Sequence, residues 1–233
     1  MVIVLFRLLE HFPLVINFRK SLGALPLFLI FTLLSANFVY ALNYKEIKSN
    51  YYKSYTYEKR RDYKNAIRTL MPVYQAYPKG YTVNLRLGWL YYLNKNYANS
   101  KFHYEKALKA VPSSIEAMLG LSLLYMAEGK WKDVEKLMYK ILKIDYYNYY
   151  GNLRLSIALR NQKKFSTAEA VARKMLAIYP TDVNFLTELA ISLYYQNKKN
   201  QALSIFSNIL ILDPENLIAK KFLKLIKKKL IKK

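Results

Sequence analysis

The sequence predicts an all-α protein of the α-solenoid type, and three observations carry that reading. Prolines recur on a ladder of fixed spacing, small and aromatic residues recur in register between the rungs, and the punctuation of short strands is sparse. Pro78, Pro112, Pro180 and Pro214 are separated by 34, 68 and 34 residues, and Tyr146 stands where the remaining rung falls. With 6 Gly and 7 Pro in 233 residues, the many tight turns of a β-protein lack the residues that make them. Hydrophobic residues reach 53%, enough to fill a packed core and to exclude a largely disordered chain. No cysteine is present, so disulfide staples, thiolate metal sites and a cysteine nucleophile are all excluded.

The first element, residues 1–41, reads as an address. Segment 22–42 carries no charge and follows Arg19 and Lys20, a basic region ahead of an apolar one. Val39-Tyr40-Ala41 offers a cleavage site that leaves Leu42 as the first residue. The same apolar stretch is long enough to span a bilayer, so an uncleaved signal anchor stands beside the cleaved signal peptide. Either form carries the rest of the chain across the membrane, although Lys45, Lys48, Lys53, Lys59, Arg60 and Arg61 bias the orientation the other way.

The second element, residues 42–216, holds five units at 47–80, 81–114, 115–148, 149–182 and 183–216. Counted from the start of each unit, column eight reads Ser54, Gly88, Ser122, Ser156, Ala190 and column twenty Ala66, Ser100, Val134, Ala168, Ala202. Small side chains at both columns allow two helices to approach closely. Column seven reads Lys53, Leu87, Leu121, Leu155, Leu189 and column eleven Tyr57, Tyr91, Tyr125, Leu159, Leu193. With columns four and eight they form one face of a first helix. Column seventeen, with Tyr63, Tyr97, Trp131, Phe165 and Lys199, opens the second helix, and the proline at thirty-two follows its end.

These columns resemble the tetratricopeptide repeat family, whose unit carries a Leu-Gly pair, a Tyr, then small and aromatic positions and a closing Pro. The unit from Tyr81 to Ser114 matches best, through Leu87, Gly88, Tyr91, Tyr97, Tyr104, Ala107 and Pro112. Column four departs from the family's Trp, with Asn50, Asn84, Met118, Asn152 and Leu186. The resemblance implies a right-handed superhelix of helix-turn-helix units. The third element, residues 217–233, then reads as a basic capping helix. Leu217, Ile218, Phe222, Leu225, Ile226 and Leu230 form its expected apolar face, and Lys220, Lys221, Lys224, Lys227, Lys228 and Lys229 its polar one. Residues 42–50 are expected to cover the opposite end.

Catalysis finds little support. His11 lies in the targeting segment and His103 has no nucleophile or ligand set around it in sequence, so a packing or surface role is expected. No glycine-rich phosphate loop occurs and the acidic residues are scattered, so no enzyme, cofactor, metal or small-molecule substrate is expected. The net charge of +23 favours anionic partners or surfaces. Nucleic acid is disfavoured, because many of the tyrosines fall in core columns and an exported chain rarely meets one.

The resemblance implies that columns two, five, nine and twelve face a concave surface that holds a partner. In this chain the positions expected to do so are Tyr51, Tyr55, Trp89, Tyr92, Leu119, Leu123, Met126, Arg160 and Tyr194. An apolar and aromatic groove of that kind suits an extended segment or an amphipathic helix. The family's carboxylate clamp, with Lys at column five and Asn at column nine, is missing. The expected function is a non-catalytic protein-protein interaction scaffold, exported to the periplasm or cell envelope. The alternative is an adaptor anchored in the inner membrane, with its six tail lysines on anionic lipid.

Overall fold

The computed structural model describes residues 42–231, and the targeting segment, His11 included, lies outside them. Eleven α-helices occupy the described residues, with no strand among them. They are α1 (Tyr44–Lys59), α2 (Tyr63–Ala76), α3 (Tyr81–Leu93), α4 (Tyr97–Ala110), α5 (Ile115–Ala127) and α6 (Trp131–Ile144). The rest are α7 (Tyr149–Asn161), α8 (Phe165–Leu176), α9 (Val183–Tyr195), α10 (Lys199–Leu212) and α11 (Leu217–Ile231). Each packs on its chain neighbours, and odd-numbered helices also touch the next odd-numbered one. The result is a solenoid of helical hairpins whose contacts reach no further than the adjacent unit.

The two small columns meet as expected: Ser100 Oγ donates to Gly88 O at 2.7 Å and Ser156 Oγ to Ala168 O at 3.3 Å, joining column twenty to column eight. All ten residues of these columns are buried. Within each hairpin the turn is a Schellman motif. The amide of column sixteen returns to the carbonyl of column eleven, as in Asp62 N to Tyr57 O (2.9 Å) and Lys130 N to Tyr125 O (2.8 Å). That closure places column fifteen in the left-handed region in every unit, at Arg61, Lys95, Gly129, Lys163 and Asn197, and only one of these is the glycine such a φ favours.

Between hairpins, column thirty-four caps the next first helix. The side chains of Ser114, Asn148, Asp182 and Asn216 each accept the backbone N–H three residues on. The unexpected asparagines of column four secure the same turn. Asn84 Nδ2 donates to the carbonyls of Pro78 and Gly80, and Asn152 Nδ2 to those of Tyr146 and Asn148. The turn at Tyr146 therefore keeps its path without a proline.

At the amino-terminal end α1 starts at Tyr44 behind an Asn43–Glu46 capping box, and Leu42 and Ile47 pack on the core shared by the first two units. One expectation about the ends needs correction. On α11 the structure buries Ala219, Phe222 and Ile226, while Leu217, Ile218 and Leu225 stay exposed. Phe222 stacks on Phe206 at 5.0 Å, and that contact rotates the helix away from the face expected from the apolar pattern.

Candidate partner-binding surface

The positions expected to line the concave face change character along the solenoid. In the first two units they are open: Tyr55 is 50% and Trp89 36% exposed, with Tyr51 and Tyr92 half-buried. Leu119, Leu123, Met126, Arg160 and Tyr194 are all half-buried, and by the fifth unit the neighbouring Thr187 and Ile191 are buried outright. The lining thus opens at one end and closes at the other.

A cluster at the open end fixes its side chains. The Arg86 guanidinium lies 3.8 Å from the Tyr55 ring centroid and forms an ion pair with Glu58. Trp89 Nε1 donates to the other Glu58 oxygen at 2.6 Å. Trp89 stacks on Tyr92 at 5.8 Å, and Tyr92 leans on Tyr97 at 5.9 Å. The polar edge of the indole is thereby satisfied internally, so the surface left for a partner is ring face, rigid and largely apolar.

Elsewhere the lining is engaged within the chain. Arg160 makes a bidentate pair with Glu188, Nε to Oε2 at 2.7 Å and Nη2 to Oε1 at 3.1 Å, and Tyr194 meets Phe222 edge-on at 5.1 Å. Arg154 reaches from the fourth unit to Leu119 O and Ser122 Oγ of the third, and burial lowers its pKa. These contacts join column twelve or its surroundings to column six of the next unit, a column that the sequence reading passed over. A signal for it exists: Glu58 with Arg86 and Arg160 with Glu188 are opposite charges at one fixed separation.

His103 is a buried packing residue. Asn84 uses its amide N–H groups on the turn carbonyls, so its Oδ1 accepts from His103 Nδ1–H at 2.9 Å, which sets the tautomer. Tyr91 stacks on the imidazole at 5.3 Å, with Tyr74 and Phe102 edge-on. Burial first, and Lys106 second, hold its pKa at about 4. On α11, Lys220, Lys221, Lys224, Lys227 and Lys228 are exposed as expected, and the Lys229 side chain lies outside those described. Among the described residues no helix is long and apolar enough to cross a membrane.

Residues 83–114 match the tetratricopeptide repeat family model. Solved structures with the same fold include a tetratricopeptide repeat protein from Parabacteroides merdae, at 16% identity and TM-score 0.71 over 78% of this chain and 72% of that one. MamA AMB-1 is similar at 22% identity and TM-score 0.62, over 74% of this chain and 94% of its own. YrrB, described as a protein of this repeat type with an unusual peptide-binding site, is similar at 13% identity and TM-score 0.65, over 82% and 95%. No curated protein matches the sequence.

Proposed function

We propose that this chain, a tetratricopeptide-repeat solenoid, is a non-catalytic scaffold that holds a segment of a partner protein against the concave face of its first two units. The observation that carries the reading is the ring set of exposed Tyr55 and Trp89 with half-buried Tyr92 stacked on Trp89, Tyr55 and Trp89 being held by Arg86 and Glu58. Rigid aromatic side chains bury large area at low entropic cost and dominate interface energetics. YrrB lends support as a similar fold with a peptide-binding site. The apolar segment behind Arg19 and Lys20 supports work in the periplasm or cell envelope.

Affinity purification from the native host, with Trp89→Ala/Tyr92→Ala run beside the unaltered chain, tests the site. The expected result is a partner retained by the unaltered chain and lost by the variant while the unfolding midpoints stay close. Equal capture by both overturns the site. Amino-terminal sequencing tests the location: a start at Leu42 supports export, and an intact Met1 in the soluble cytoplasmic fraction removes it.

A second reading, the membrane-bound adaptor, draws on the lysine face of α11 beside exposed Leu217, Ile218 and Leu225. A Lys220→Gln/Lys224→Gln/Lys227→Gln/Lys228→Gln variant sediments less with phosphatidylglycerol vesicles if the tail serves lipid, and equally if it does not.

A further inference from the structure

A groove of about 560 Å³ lies between α6 and α8. Tyr139, Leu142, Tyr146 and Val171 line it, and Lys143 and Lys174 stand at its mouth. Lys174 Nζ sits 3.9 Å from the Tyr146 ring centroid. The repeat register explains why the groove is open. The same place between α2 and α4 is occupied by the chain's own side chains: His103 packs there edge-on against Tyr74, Phe102 lies edge-on to His103, and Lys106 stands over the Tyr74 and Phe102 rings. Thirty-four residues per unit carries Phe102 onto Ala170, His103 onto Val171 and Lys106 onto Lys174. The lysine is retained, and the two rings are replaced by small aliphatic groups.

A second observation is independent of the space. In the second unit the buried Oδ1 of Asn84 is satisfied by His103. In the fourth, Asn152 is fully buried and clamps its turn with the same two amide bonds, yet its Oδ1 has no hydrogen-bond partner, because Val171 holds no donor where the histidine would be. A buried acceptor left unpaired is costly and rare, and Val171, which stands where a donor would reach it, lines the groove.

We propose that this groove is a second binding site, and that it takes an aromatic side chain with a ring N–H or O–H donor from an acidic segment of a partner protein. The aromatic ring occupies the volume that Phe102 and His103 fill one pair of units earlier. The donor enters at Val171, the position from which His103 reaches the amide oxygen of Asn84 in the second unit, and acidic residues flanking the ring meet Lys143 and Lys174, in keeping with the chain's charge of +23.

The probe is a fluorescein-labelled pentapeptide with a central tryptophan between glutamates, titrated by anisotropy into the full chain. Binding is expected to be about tenfold tighter than for the same peptide with central alanine or with lysines for glutamates, about 1.4 kcal/mol in each case. Ala170→Phe/Val171→His, which fills the groove as the second unit does, is expected to lower affinity about tenfold while circular dichroism stays unaltered. Lys143→Glu/Lys174→Glu serves if that variant misfolds, and is expected to weaken the peptide similarly. Trp89→Ala/Tyr92→Ala, on the concave face, is expected to leave this binding unchanged, so that failure of the two sites is distinguishable. Wild-type affinity in both groove variants overturns the proposal. So does response of these variants only on anionic vesicles, with no peptide bound.

Discussion

Gly120→Ala tests how the second and third units are joined. Gly120 occupies column six of α5, and the Tyr104 ring of α4 lies against it. A Cβ on Gly120 would come under 3.0 Å from Cε1 and Cζ of that ring, whereas carbon atoms in ordinary contact stand about 3.5–4.0 Å apart. The ring cannot retreat, since a Cβ on Gly88 would already meet it at 2.8–2.9 Å, and Tyr104 is 2% exposed. Overpacking of this kind costs about 1–3 kcal/mol and sometimes more. Alanine's better helix propensity returns about 1 kcal/mol. A net loss of about 1 kcal/mol follows, or roughly 2–4 °C in melting temperature for a chain of this size. Urea and thermal melts followed by circular dichroism read the loss directly. In a Tyr104→Ala background the same substitution should change sign and stabilise by up to about 1 kcal/mol, because only the propensity gain is left. An unchanged or raised midpoint for Gly120→Ala alone refutes the reasoning, and so does an equal loss in both backgrounds.

Three further outcomes follow from the same geometry. His103 is held at about 4 in the folded chain against 6.5 when free, so the unfolded chain takes up the proton first. Its contribution is complete above about pH 6.5 and declines by up to about 3 kcal/mol as pH falls toward 4; His103→Phe should flatten the urea midpoint across that window. Burial alone would raise Glu169, but hydrogen bonds from Arg173, Lys198 and Gln196 outweigh it and bring the carboxyl to about 2, so Glu169→Gln should lessen the acid loss seen between pH 4.5 and 2. Arg160→Ala strands the buried Glu188 and should cost about 3 kcal/mol, while Arg160→Glu/Glu188→Arg should recover much of it, since Glu58 and Arg86 already use that polarity between the first two units.

The fold was legible because equivalent residues do equivalent work. The small columns eight and twenty are the helix contact, and the proline ladder marks where second helices stop. Column four was read as a departure, and only the structure shows that Asn84 and Asn152 replace apolar packing with a clamp on turn carbonyls. The caps at column thirty-four were readable from Ser114, Asn148, Asp182 and Asn216 but are polar residues in a loop, where periodicity has nothing to report. How far the positions expected to line the concave face stand open was not legible. Whether Tyr55 is open or Tyr194 covered depends on what the next unit places at column six, and Arg86 and Phe222 differ there. The face of α11 was misjudged because several leucines and isoleucines compete for one seam, and Phe206 selects Phe222.

Because contacts link only adjacent units, the first and last hairpins of the described residues have one neighbouring hairpin instead of two, and loss of order starts most cheaply there. Amide exchange should therefore slow from α1 toward α5–α8 and quicken again toward α11. The rings of Tyr55 and Trp89 stand at the fraying end, so a partner seated on them clips the first hairpin to the second. Recognition and the order of that terminus are then one equilibrium, with occupancy read out as slowed exchange in α1 and α2.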